Sequence, residues 1–179
     1  MRIATAVAAI LLAATPAKAA KADDPLAKIS CLVGEWAGVG EGQPGLSASE
    51  RRTTRAHGRF IVVEGRSVYP KQERNKKGET HSSTDIWSYD RARGVLMMRQ
   101  FDNLGFVSTY VEDKRKGARP SQWFMMAESL ENVPKGWNAR YAYECVSNDE
   151  YREIFELDAG KGFELYVSGR FLRMENAAR

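Results

Sequence analysis

The chain has 179 residues but only two cysteines and two histidines. No CxxC spacing occurs, so a structural zinc site has almost no ligands to draw on. Long apolar runs are missing too. The longest small and apolar run, Ile3 to Ala14, is twelve residues; at ~1.5 Å each it falls short of a hydrocarbon core of about 30 Å, which excludes a membrane-spanning helix there. Catalytic signatures are equally scarce: there is no HExxH, no nucleophile elbow, no phosphate loop, and no nucleophile spaced with a base and an orienting acid. No catalytic residue and no metal ligand is therefore assigned, and an enzyme is not the favoured reading. A strong charge of one sign is lacking as well, since 27 basic residues stand against 23 acidic ones.

What is present begins with an address. Arg2, the apolar run, Pro16 and the triplet Ala17-Lys18-Ala19 fit a signal peptide, residues 1–19, removed after Ala19. Its loss takes away Arg2 and Lys18, leaving 25 basic and 23 acidic residues and lowering the net charge from +4 to +2. The remaining basic clusters, Lys71, Arg74, Lys76, Lys77 and Lys114, Arg115, Lys116, Arg119, lie beside glycines between extended segments and have no interleaved aromatics. They read as solvated hairpin tips, and a nucleic-acid partner is not expected. The protein is thus expected in the periplasm or secreted, without an integral membrane segment. In such a compartment Cys31 and Cys145 are open to two readings, a disulfide or two buried thiols. A bond would close a loop with a sequence separation of 114 and constrain the unfolded chain by roughly 4 kcal/mol.

Residues 20–30 form an N-terminal segment leading into a short capping helix over Pro25 to Leu32, with Asp24 as its cap and Pro25 at its first turn. From 31 to 179 a single domain follows in which period-two alternation dominates. Trp137 to Val146 is the clearest run, and counting similar ones gives ten strands: Val33–Gly40, Ser49–His57, Phe60–Tyr69, Glu79–Tyr89, Val95–Phe101, Phe106–Glu112, Gln122–Ser129, Trp137–Val146, Glu150–Leu157 and Phe163–Arg173. Short connectors rich in Gly, Asn and Asp make consecutive strands antiparallel neighbours. The fold class is therefore all-β, an up-and-down antiparallel barrel of about ten strands. Ten strands enclose a wider interior than eight, which side chains alone just fill, so a cavity should remain.

The segment Gly34-Glu35-Trp36 opening the first strand resembles the start of the calycins, the lipocalins and their relatives. In that likeness Gly34 and Trp36 close one end of the barrel, with an Arg of the last strand lying over the indole; Arg170 and Arg173 are the candidates, and Arg170 is assigned. The longer pattern Gly34-x-Trp36-x-Gly38-x-Gly40-x-Gly42, followed by His81-Ser82-Ser83-Thr84-Asp85-Ile86-Trp87, resembles the nitrobindin-like, haem-binding ten-stranded barrels. That likeness implies a haem protein handling nitric oxide or peroxynitrite, its iron held by a His in the C-terminal part. Here Phe163 to Arg179 contains no His, and Tyr166 is an alternative ligand type in that stretch.

The function expected is the binding or carriage of a small, mostly apolar molecule in the interior, with a haem protein and a protein-interaction module as alternatives. Several strands set polar groups on the parity of large apolar ones: His81 and Asp85 with Trp87, Arg99 with Met97 and Phe101, Tyr110 with Phe106, and Glu153 with Phe155. Parity alone leaves open which face is interior. The expected ligand-binding residues are Trp36, His81, Trp87, Arg99, Tyr110 and Trp123, with Arg99 directed at a ligand carboxylate and Tyr110 assisting it. The methionine pairs Met97-Met98 and Met125-Met126 read as adaptable packing.

Overall fold

A computed structural model describes residues 24–114 and 119–174, so the signal segment and part of the second basic cluster lie outside the described residues. Ten strands form one closed antiparallel barrel: β1 (Gly34–Gly42), β2 (Gly45–Ala56), β3 (Phe60–Tyr69), β4 (Glu79–Asp90), β5 (Val95–Asp102), β6 (Val107–Glu112), β7 (Gln122–Glu131), β8 (Asn138–Cys145), β9 (Glu150–Asp158) and β10 (Phe163–Arg173). Each strand pairs with its sequence neighbours, and β1 pairs with β10 to close the sheet. Closure leaves no unpaired edge.

The largest boundary difference is in β2, which starts four residues earlier than the alternation suggests. Gly42 and Gly45 face each other across a tight turn, within a stretch whose polarity suggests a connector from Gly40 to Ser49. Gly45 has φ +98°, a conformation that side chains resist. The Gln72 side chain then accepts from the Leu46 N–H (2.8 Å) and donates to the Leu46 carbonyl (2.9 Å), holding this polar stretch as strand.

The capping helix is a 3₁₀ helix over Ala27–Leu32, starting two residues later than expected. Asp24 still anchors the turn before it, accepting from the Leu26 N–H at 3.0 Å. Leu26, Ile29 and Leu32 are buried in the main core, so the helix plugs one mouth of the barrel. Cys31 is disulfide-bonded to Cys145 at the end of β8, with Cα atoms 6.3 Å apart. Gly34, at φ +140°, turns the chain from plug into wall, and a Cβ there would collide with the Arg173 guanidinium.

Trp36 is fully buried beneath this plug and donates from Nε1 to the Leu32 carbonyl (2.9 Å). The Arg over its ring is Arg173, with Cζ 4.2 Å from the ring, and not Arg170. Register explains the correction. Trp36 is opposite Arg173, whereas Arg170 is opposite Val39 on the outer face and pairs there with Glu150 at 2.8 Å. Arg173 also donates to the carbonyls of Val33 (3.0 Å) and Asn148 (2.8 Å), tying the last strand to the plug.

Candidate functional site

The two halves of the interior are built differently. Toward the plug, inward positions carry Trp36, Ile61, Trp87, Leu96, Met98, Tyr110, Trp123, Met125, Tyr143, Tyr151 and Phe171, all buried. The rings interlock: Trp123 stacks on Tyr143 at 5.4 Å, Trp87 meets Tyr143 edge-on at 5.3 Å, and Tyr151 stacks on Phe171 at 4.6 Å. This half is a filled floor. Beyond it, toward the β1–β2 turn, the inward residues of β1 are Gly38, Gly40 and Gly42, and those of β2 and β3 include Ser47, Ser49 and Ser67. Across from this polar wall stand Tyr141, Phe155, Leu157 and Leu130, which point inward yet are only partly buried. Solvent reaches them, so this end of the barrel is less sealed than the floor, and the space beside them is the candidate crevice.

A polar band crosses the barrel where floor meets crevice. Arg51 of β2 donates to the carbonyls of Glu50 (3.0 Å) and Arg66 (3.2 Å), to Ser67 Oγ (3.3 Å), and to Glu153 Oε1 of β9 (3.3 Å). Its guanidinium also lies 4.9 Å from the Phe171 ring. Glycines make this possible: a Cβ on Gly65 would press on Arg51 at 3.0 Å, and one on Gly38 would run into Phe171. Burial disfavours the Arg51 charge, but the Glu153 carboxylate and neighbouring acidic groups outweigh it and hold the guanidinium pKa above its ordinary value.

Asp85 of β4 belongs to the same band and is 7% exposed, with no hydrogen-bond partner for Oδ1. Burial pushes its pKa up to about 6, against the opposing pull of the Arg51 charge and of hydrogen bonds from Gln100 and Ser83. Gln100, opposite Asp85 on β5, is 3.3 Å from the Tyr141 hydroxyl. Tyr141 in turn packs edge-on to Tyr110 (5.2 Å) and against Phe155 (4.6 Å), and burial pushes the pKa of its hydroxyl well above the ordinary value.

The expected site residues divide among three places. Trp36, Trp87, Trp123 and Tyr110 belong to the floor, with Trp36 at the plugged end. His81 stands at the open mouth, its Nε2 3.2 Å from Glu79 and its Nδ1 4.0 Å from Asp102. Arg99 is not in the interior. It is exposed on the outer face of β5, 3.5 Å from Ser88 Oγ, and opposite Thr109, so Tyr110 points the other way and cannot assist it. Its parity misleads because Met97, also outward, is 5% exposed beneath Arg93, which approaches the thioether at 3.9 Å. Arg51 escapes sequence reasoning because β2 offers no large apolar marker on its inner face beside it.

Haem does not fit these residues. Apart from Tyr166, β10 presents Val167, Gly169 and Phe171 inward, none of them a ligand type. Tyr166 lies edge-on to Phe155 at 5.7 Å, and burial raises its pKa, opposite to the phenolate a ligand must be. His57 is on the β2–β3 turn near the plugged end, and His81 is engaged by carboxylates at the mouth. Among the described residues no group of three or more His, Cys, Asp or Glu side chains is arranged to hold a metal ion, and no helix is long and apolar enough to cross a membrane.

No family model matches the chain, and no curated protein matches it. Solved structures do. The crystal structure of Rv2717c from M. tuberculosis is similar, with a TM-score of 0.65 over 84% of this chain and 98% of that one, at 16% sequence identity. At that identity the likeness speaks for the barrel alone.

Proposed function

We propose that this barrel binds or carries a small, mostly apolar molecule in its open half, above the aromatic floor and beside the Arg51–Glu153–Asp85 band. The observation that carries this reading is the contrast in burial between inward-facing residues: Trp36, Trp87 and Trp123 are sealed, whereas Tyr141, Phe155 and Leu157 are reached by solvent. An apolar wall with a few polar anchors supplies affinity and orientation respectively. Titration with the neutral fluorophore N-phenyl-1-naphthylamine tests it. Saturable one-to-one enhancement is expected, lost in Leu130→Trp, which fills the crevice; an unchanged signal in that variant, with native circular dichroism, would defeat the assignment.

The reading includes export. The Cys31–Cys145 disulfide supports it, since such bonds persist in oxidising compartments. Intact mass of the protein recovered from outside the cytoplasm is expected to show loss of residues 1–19. The nitrobindin-like haem reading is not carried further, because the donor set does not suit it. A second reading, an interaction module, has one observation behind it: a groove of about 510 Å³ on the outer face, where Val39 is 65%, Leu46 59% and Ile154 41% exposed. Concentration-dependent self-association in the ultracentrifuge, abolished by Val39→Lys, would favour it.

A further inference from the structure

Resting on that pocket reading, we propose that the interior ligand is an organic ammonium, an aromatic or apolar molecule carrying one protonated amine, held by Asp85 and facing the Tyr141, Tyr110 and Phe155 rings. The first support is the unpartnered Oδ1 of Asp85, a buried acceptor on an inward-facing residue. Native interiors rarely leave such an atom unsatisfied. A carboxylate offers acceptors only, so what completes it must be a donor.

The second support is the balance of charge around it. Among the described residues, inward strand positions of the open half include one guanidinium, Arg51, and the imidazole of His81, against the carboxylates of Asp85, Glu153, Glu79 and Asp102, of which Glu79 and Asp102 face His81. Arg51 is a poor receiver for an acidic ligand, because Glu153 already sits against its charge at 3.3 Å and its Nη1 is engaged on two backbone carbonyls and Ser67. Arg74 reaches the rim, but it donates to the Gly42 carbonyl from the exposed β3–β4 loop. A ligand carboxylate would therefore meet an acidic chamber, and an ammonium would neutralise it.

The third support is the wall. Tyr110, Tyr141 and Phe155 form a continuous aromatic run with ring separations of 5.2 and 4.6 Å, and Tyr141 is joined to the strand facing Asp85 through Gln100. Ring faces attract cations, most strongly where water is excluded. The raised pKa of Asp85 is consistent with a site completed by a cation, because an ammonium would favour its ionised form.

Three probes of one shape decide it by calorimetry at pH ~7.5 on the full mature chain: tryptamine, its neutral alcohol tryptophol, and indole-3-acetate. Tryptamine is expected to bind about tenfold or more tighter than tryptophol, the scale of a charge-assisted hydrogen bond, and indole-3-acetate not at all. Asp85→Asn, checked for native circular dichroism, should bring tryptamine down to the level of tryptophol. Should that variant fail to fold, the wild type decides: tryptamine affinity must fall as pH drops from about 7 to about 5 while tryptophol affinity stays level. Equal binding of amine and alcohol, or preference for the acid, overturns the ammonium assignment. Fluorophore binding without tryptamine preference defeats this inference alone; absence of binding by every probe defeats the pocket reading with it.

Discussion

One sheet wraps two interiors in this protein. The half under the 3₁₀ plug is filled with rings and sulfur, sealed by a disulfide and clasped by Arg173; the half toward the β1–β2 turn is lined on one side by glycine and serine and carries ionisable groups at its base. The backbone is continuous between them, and the same strands pass through both. β4 contributes Trp87 to the floor and Asp85, two residues earlier, to the band. β9 does the same with Tyr151 and Glu153. Burial that stabilises and burial that costs stability are therefore neighbours on single strands, which places the recognising groups on a rigid support.

Hollowing the floor should have the largest effect. Trp36→Ala is expected to cost about 3–5 kcal/mol in urea unfolding, the range for removing a large buried ring. Opening the Cys31–Cys145 bond by Cys31→Ser should cost about 4 kcal/mol, given the long loop it closes. In both variants the fluorophore affinity of the remaining folded protein should change little, because neither residue borders the crevice.

Asp85→Asn should act in the opposite direction. The folded-state pKa of about 6 lies above the ordinary 3.8, so the folded protein binds this proton more tightly than the unfolded chain. Stability is consequently lost as pH rises from about 4 through 6, by up to about 3 kcal/mol. The substitution is expected to raise stability at pH ~7.5 by about 1–3 kcal/mol and to flatten that part of the pH profile, read from unfolding midpoints between about pH 4 and 7.5. The smallest effects belong to the outer face. Arg99→Ala and Arg170→Ala should each leave the urea midpoint nearly unchanged, whereas Arg173→Ala, on the same strand as Arg170, should lower it more than either.

The strand layout is legible because one wall face is buried and the other wet, so the period of two shows on the surface of the sequence. β3 and β10 begin and end where the alternation places them. The site is only half legible. Asp85 and Glu153 share their parity with aromatics and can be paired with them by inspection. Arg51 cannot, because the stretch around it reads Ser49, Glu50, Arg51, Arg52, Thr53, without a single large apolar neighbour to mark its face. Arg99 misleads for the reverse reason. Both faces of Val95 to Met98 are apolar, and Met97 is covered from outside by Arg93, so no alternation remains there to distinguish in from out.

The pairing of β1 with β10 also sets a clock. Trp36 meets Arg173, and Gly42 meets Val167, across almost the whole length of the chain. Until Phe163–Arg173 has been made, Gly34–Gly42 and Glu150–Asp158 each present a bare row of backbone donors and acceptors. The seam cannot form before β10 has been made, and of the ten pairings it is the one that joins sequence-distant strands, so its closure carries the largest loop-entropy cost of the barrel.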